Sequence, residues 1–313
     1  TVDQLADGQV LVRHHFLSLD PYMRGRMNDS KSYAEPQPLN SVMIGGTVGE
    51  VIASKHARHA VGDSVVGMGG WQEFSVVDAN QRGALTKVDT RHIPLSAYLG
   101  SVGMPGVTAW YGLIKIIAPK AGETVVVSAA SGAVGSVVGQ LAKARGCRVV
   151  GVAGGADKCR YVTEDLGFDA CIDYKVNNEP KAFYKALKEA TPNGIDGYFE
   201  NVGGAMLDAA LNNMAVHGRI VMCGLIEQYN SNGQGSGPRN LSQMIRKRIL
   251  MQGLLVSDHW QHYGAFLAEA MPAFEAGTLQ AEETVSEGLA SMPQAFIGLF
   301  QGRNTGKMLV KLP

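Results

Sequence analysis

Two patterns of apolar and polar positions divide the chain, and they change near residue 108. Before it, apolar residues alternate with polar ones in short runs: Val10 to Leu19, Gly46 to Ile52, Asp63 to Val66 and Phe74 to Val77, broken by glycine and proline. A period of two marks half-buried strands, so this block is expected to be all-β or barrel-like. From Thr108 onward, short β-branched runs alternate with stretches of helical spacing. Strands are expected near residues 124–128, 148–153, 170–173, 196–200, 219–223 and 250–255, with helices between them. Six such units predict an α/β, doubly wound parallel sheet. A long helix is expected from about Trp260 to Ala276. The tail ends in Lys307 to Lys311, a strand with no partner in the α/β block, which is expected to return to the first block. No internal repeat or low-complexity segment interrupts the scheme.

The first chemistry appears at Ala129-Ala130-Ser131-Gly132-Ala133-Val134-Gly135, between the apolar strand Glu123 to Val127 and a helix expected over Ser136 to Arg145. A strand, a glycine turn and a helix N-terminus present free N–H groups and the positive end of a dipole, which together receive an anion. Gly132 is expected to permit the tight turn, and Gly135 and Gly139 to let the helix lie close on the strand. With 39 glycines in the chain, the cluster alone is also compatible with ligand-free helix–sheet packing. The following strand, Arg148 to Ala153, completes the context of a dinucleotide site. A carboxylate usually ends that strand where the cofactor is NAD. Here stand Ala153-Gly154-Gly155-Ala156, with no acid until Asp157 and with Lys158 and Arg160 close behind. Room plus cations favours a 2′-phosphate, hence NADPH over NADH.

Composition narrows the remaining classes. A chain of 313 residues accommodates two domains, and 45% hydrophobic with 18% charged residues describes an ordinary well-cored protein. Lys plus Arg equals Asp plus Glu, at 28 each, so neither nucleic acid nor an anionic membrane is an expected partner. There is no apolar run of membrane-spanning length and no signal-peptide pattern. Residues Thr1 to Gly8 read as the interior of a protein rather than its start. Cys147, Cys159, Cys171 and Cys223 form no CxxC, which suits a reducing, cytoplasmic compartment, and Cys147 and Cys223 are expected in the core. The pairs His56/His59 and His259/His262 lack cysteines or a HExxH frame, so they are read as surface residues and no metal is expected.

Six motifs in this order carry a resemblance. They are Leu19-Asp20-Pro21-Tyr22-Met23-Arg24, Gly103-Met104-Pro105-Gly106-Val107-Thr108-Ala109, the glycine turn, Tyr198-Phe199-Glu200-Asn201-Val202-Gly203-Gly204, Cys223-Gly224-Leu225-Ile226-Glu227-Gln228-Tyr229-Asn230, and Gly302 to Val310. Over essentially its whole length the chain resembles the medium-chain dehydrogenase/reductase superfamily. Within it, the chain looks like the zinc-independent alkenal/one and prostaglandin reductases, and most closely their bacterial curcumin-reductase-like branch. Zinc-dependent relatives carry Gly-His-Glu where this chain has Gly45-Gly46-Thr47, and a cysteine-rich lobe that it lacks. The resemblance implies a GroES-like, partly open β-barrel substrate domain (1–105 and 271–313) and a Rossmann domain for NADPH (106–270), usually in a homodimer. It implies the pyrophosphate on Ala130, Ser131, Gly132, Ala133, Val134 and Gly135, and the 2′-phosphate on Gly155, Lys158 and Tyr174. Asn201 and Cys223 would lie near the nicotinamide ribose, and Leu254, Leu255, Val256 and Asn304 would line the nicotinamide end.

The implied reaction reduces the carbon–carbon double bond of an α,β-unsaturated aldehyde or ketone. Hydride adds at the β carbon and charge collects on the carbonyl oxygen as an enolate, which calls for a donor at that oxygen. Tyr229 is the leading candidate, and Tyr22 is expected to face the same cleft. A loop tyrosine that only shapes the pocket is the alternative for Tyr229, and local turn packing for Tyr22. NADPH quinone reduction is the nearest enzymatic rival, and an NADPH-binding structural protein the non-enzymatic one. Loops at 28–42 and 226–240, the latter with Gly233, Gly235, Gly237 and Pro238, are expected to be mobile and to set substrate size.

Overall fold

The computed structural model describes residues 4–231 and 237–313, so Thr1 to Asp3 and the loop glycines Gly233 and Gly235 lie outside the described residues. The chain divides into two units: residues up to Gly103 together with Glu282–Pro313, and Met104–Ala281. In chain order the strands are β1 (Gln9–Ser18), β2 (Thr47–Ser54), β3 (Ser64–Gly67), β4 (Phe74–Asp78), β5 (Leu85–Lys87), β6 (Thr124–Val127), β7 (Arg148–Ala153), β8 (Ala170–Asp173), β9 (Ile195–Glu200), β10 (Met214–Met222), β11 (Leu250–Gly253), β12 (Glu283–Glu287) and β13 (Lys307–Lys311).

In the first unit the sheet runs β12-β13-β1-β2-β3-β5, with β4 also on β1. Strand β1 is long enough to serve two neighbours on one edge: Gln9 to Arg13 pair with β4, and Phe16 to Ser18 with β13. All pairings are antiparallel except β12 with β13, which is parallel. Apolar residues from both chain ends, among them Leu17, Leu19, Met23, Phe296 and Val310, form one core cluster. An ion pair is buried with them. Lys307 Nζ donates to Leu19 O (2.6 Å), Asp20 Oδ1 (3.0 Å) and Met308 O (3.3 Å). All three ammonium protons therefore find acceptors, as burial of the charge requires. His14 is also buried, its Nε2 within 2.9 Å of Ser75 Oγ, and burial lowers its pKa to about 4.

The second unit holds a six-stranded sheet in the order β11-β10-β9-β6-β7-β8, parallel throughout. Renumbered from β6, this is the 3-2-1-4-5-6 order of the Rossmann fold. Its central strands β6, β7 and β9 are buried on both faces, which is why they read as near-continuous apolar runs. Val125, Val127, Phe199 and Val221 pack on one side with Trp110 and Phe266; Val126, Val150, Tyr198 and Ile220 pack on the other with Phe183, Leu187 and Leu211. Strand β10 begins five residues before the predicted 219. A register shift between Met214 and Arg219, with His217 left-handed at φ 65°, absorbs the extra length. The late helix covers Tyr263–Glu275, preceded by a tighter 3-10 turn at Val256–His262.

That turn corrects the reading of the histidine pairs as surface residues. His259 stacks on Tyr111 with ring centroids 3.9 Å apart, and His262 lies 5.3 Å from Tyr111 and 6.5 Å from Trp110. His59 is buried, closing a small turn against His56. Among the described residues, no helix is long and apolar enough to cross a membrane.

Candidate active site

The second unit carries most of the candidate residues at the carboxyl ends of its strands, where open parallel sheets bind ligands. At the tip of β6 the chain turns through Ala129 to Gly132, closed by Gly132 N–H donating to Ala129 O at 2.9 Å. The left-handed conformation falls on Ala129 (φ 50°), while Gly132 serves the turn by close approach, a Cβ on it standing 3.2 Å from Ala129 O. The helix Gly135–Ala144 follows, with Val134 at its N-cap, no side chain capping the first-turn N–H groups and no acid in the first turn. Ser136 N–H donates back to Gly132 O at 3.0 Å, and the other first-turn donors are offered to a ligand or to water. Gly135 is required by close approach: a Cβ there would stand 2.4 Å from Ala129 O and 2.9 Å from Ala130 Cα. Gly139 has another reason than the one expected. A Cβ there would fall 1.7 Å from the Phe168 ring, so its missing side chain makes room for a core phenyl rather than for the strand. Ala130 and Ser131 are buried in the turn. This cradle fits a pyrophosphate.

The residues expected to hold the 2′-phosphate lie at the tips of β7 and β8. Gly155 (φ 103°) starts the short helix Ala156–Arg160, and its N–H donates to Asp173 Oδ1 at 2.9 Å. The Tyr174 ring lies over Gly154, where a Cβ would sit 2.7 Å from Tyr174 Oη. Lys158 is half-buried; burial first, and then the like charge of Lys175, lower its pKa. Two cations held close enough to repel each other favour a dianion between them. Arg160 is paired instead with Asp157, one turn back on an exposed face. The acid in this region is thus Asp173, at the end of β8 and occupied by backbone N–H groups of Gly155 and Lys175.

The third cluster joins β6, β9 and β10. Asn201 N–H donates to Ser128 Oγ (2.7 Å), and its Nδ2 to Ser128 O (2.8 Å). The N–H groups of Cys223 and Gly224 donate to Glu200 O at 2.9 and 3.1 Å, and those of Ile226 and Glu227 to Asn201 O and Val202 O. Tyr229 ends the short turn Ile226–Gln228, and its Oη accepts Leu225 N–H at 3.3 Å. Gly224 lies between this phenol and Asn201: a Cβ on it would be 3.2 Å from Tyr229 Oη and 3.4 Å from Asn201 O. The structure therefore brings Asn201, Cys223 and Tyr229 together. Burial and the Glu200 charge push the Cys223 thiol up to about 12, which leaves it a neutral wall rather than a nucleophile. Leu254 is 9% exposed and packs into the core below Gly112, while Leu255 and Val256 are partly buried beside it.

Tyr22 and Asn304 belong to the first unit. Tyr22 opens the helix Tyr22–Arg26 after Pro21, and burial together with Asp20 raises its phenol pKa. Asn304 is buried, its Nδ2 donating to Gly306 O at 2.8 Å. Among the described residues, no three His, Cys, Asp or Glu side chains are grouped so as to hold a metal ion.

Comparison with known proteins bears on this arrangement directly. Residues 1–86 match the family described as the N-terminal domain of oxidoreductase, and residues 133–271 the one described as zinc-binding dehydrogenase. The chain is 43% identical over 311 residues to the NADPH-dependent curcumin reductase of Escherichia coli, covering 98% of this chain and 88% of that protein. It is 47% identical over 302 residues to the NADP(+)-dependent 2-alkenal reductase of Nicotiana tabacum, covering 96% and 86%. The crystal structure of CurA in complex with NADPH from Vibrio vulnificus superposes with a TM-score of 0.91 at 46% identity, covering 98% of this chain and 91% of that one. The chain is a zinc-independent medium-chain dehydrogenase/reductase of the alkenal and prostaglandin reductase family.

Within this reductase, sequence reasoning passed over Ser128, Glu200, Asp173 and Lys175. Ser128 and Glu200 become a pair only through strand register: Val126 lies beside Tyr198 and Val127 beside Phe199, so the next residues but one meet on one face. Lys175 ends the Ile172 to Lys175 segment that supplies Tyr174, and its neighbourhood with Lys158 emerges only when β7 and β8 pair.

Proposed function

We propose that this reductase acts on α,β-unsaturated aldehydes and ketones, with Tyr229 as the hydrogen-bond donor to the carbonyl oxygen. The coarser statement is firm: the chain is an NADPH-dependent oxidoreductase acting on carbon–carbon double bonds, like its named relatives. NADPH, when bound, supplies the hydride that goes to the β carbon. The chain's own residues hold the cofactor and receive the charge that moves onto the substrate. Gly135 and the uncapped helix start take the pyrophosphate; Lys158, Gly155 and Tyr174 take the 2′-phosphate; Asn201 faces the nicotinamide ribose. The observation that carries the assignment of Tyr229 is its hydroxyl, set over Gly224 beside Asn201 at the strand tips. Because that oxygen accepts Leu225 N–H, its own proton is polarised toward a second acceptor. A neutral phenol serves as a hydrogen-bond donor to an enolate. Tyr22, in the first unit, is proposed as a second neutral phenol donor, and burial together with Asp20 raises its pKa further.

The test is NADPH consumption followed at 340 nm with a 2-alkenal, a bulky conjugated enone, a quinone and a saturated aldehyde. Turnover of the alkenal or enone with none of the saturated aldehyde supports the reading. Activity on the quinone alone would move the chain to quinone reduction, and silence on all four would leave a binding protein.

A further inference from the structure

Glu200 is fully buried, 0% exposed, at the point where β9 gives way to Asn201. Its Oε1 accepts two donors, Ser128 Oγ at 2.7 Å and Val202 N–H at 2.6 Å. Ser128 Oγ in turn accepts Asn201 N–H, so one hydroxyl links the carboxyl to the backbone of the residue placed at the ribose. Glu200 and Tyr198 are both buried, two residues apart on the same strand face, and close enough for carboxyl and phenol to act on each other. Among the described residues, no cation is paired with the carboxyl. Burial raises its pKa. A carboxyl in an apolar sheet interior is costly unless it does something its apolar replacement would not. What it does here is hold the tips of β6 and β9 in one register, with Asn201 Nδ2 tied to Ser128 O and the rest of the amide directed beyond the strand ends.

We propose that Glu200 is a positioning residue for the cofactor, acting through the Ser128 hydroxyl to fix Asn201 against the nicotinamide ribose. The inference rests on the reading of Asn201 given above, and a double-mutant cycle separates the two. The readouts are the NADPH dissociation constant, from the fluorescence of the reduced nicotinamide bound to the otherwise ligand-free protein, and kcat/KM with an enone. Asn201→Ala and Glu200→Ala are each expected to weaken NADPH about 10-fold, the scale of one lost hydrogen bond in a buried network. The double variant should be no weaker than the worse single, because both act through one contact. Glu200→Gln, which keeps an acceptor for Ser128 and Val202 without a charge, should restore affinity to within about 2-fold of wild type, where a merely structural loss would not be rescued. Ser128→Ala reports on the same link should Glu200→Ala fail to fold.

Additive losses in the double variant, wild-type affinity in both Glu200→Ala and Ser128→Ala, or a Gln variant as weak as Ala would each overturn the proposal. If Asn201→Ala alone binds NADPH as wild type does, the reading of Asn201 falls and this inference falls with it. A cost at Asn201 with none at Glu200 would sink the inference alone.

Discussion

Replacing Lys158 by alanine separates the two nicotinamide cofactors by an amount the structure bounds. Lys158 is half-buried, and burial first, then the nearby charge of Lys175, lower its pKa. Its ammonium would make a charge-assisted bond to a 2′-phosphate, a class of contact worth about 1.5–3 kcal/mol. Two features move the value to the lower end. Half the side chain remains in water, and Lys175 stays behind to face the phosphate, relieved of its neighbour's repulsion. The loss is then about 1.5 kcal/mol, or about 10-fold in the NADPH dissociation constant. NADH, with no phosphate at that position, should bind within about 2-fold of its wild-type affinity. Fluorescence titration of both cofactors at low salt measures the two constants, and the NADPH difference should shrink at 1 M salt as screening replaces the lost cation. Equal losses for NADPH and NADH would refute the reasoning, since Lys158 would then be supporting the fold of the turn rather than reading the phosphate.

Three further outcomes are expected. Tyr229→Phe should lower turnover on an enone by about 10-fold with NADPH affinity unchanged, and wild-type turnover would remove Tyr229 from the chemistry. Gly139→Ala should cost about 2 kcal/mol, because its Cβ meets a core phenyl at 1.7 Å, and Gly139→Ala/Phe168→Leu should recover part of the melting temperature; an unchanged melt in the single variant would contradict the packing described. His14, with a folded pKa of about 4 against an ordinary 6.5, takes up its proton more readily when unfolded, so stability is lost as pH falls from 6.5 toward 4, by about 3 kcal/mol at the lower limit. Denaturant melts should show that slope flattened in His14→Gln and unchanged in an exposed-histidine control such as His92→Gln.

The parallel strands were legible because burial on both faces forces runs such as Thr124 to Val127 and Arg148 to Val152, which no half-exposed strand would carry. Strand β12, with exposed Glu287 and Ser, Thr and Glu among its five residues, has no such signal; only β13 beside it makes it a strand. The three-residue β5 and the helix Met292–Phe300 were likewise not anticipated. At the site, the order of glycine turn and strand ends could be read directly, whereas the reasons for individual glycines could not. Gly139 answers to Phe168, 29 residues away, and Gly154 to Tyr174 on the next strand tip, and neither contact exists until the sheet has formed. Ser128 and Glu200 were hidden for the same cause, since a polar residue after an apolar run looks like a strand end until register sets the two side by side.

The place of β13, between β12 and β1, imposes an order on synthesis. The pairing of Phe16 with Lys311 joins residues far apart in the chain, whereas every strand of the parallel sheet lies between Thr124 and Gly253. The Rossmann unit can close while the ribosome is still adding residues, but one edge of β1 waits for β13. A chain stopped at residue 300 would keep the whole cofactor sheet and lose an interior strand of the other, leaving β12 without its partner and β1 with a bare edge. A chain cut before β13 therefore holds its nucleotide fold yet is prone to aggregate through the unfinished barrel.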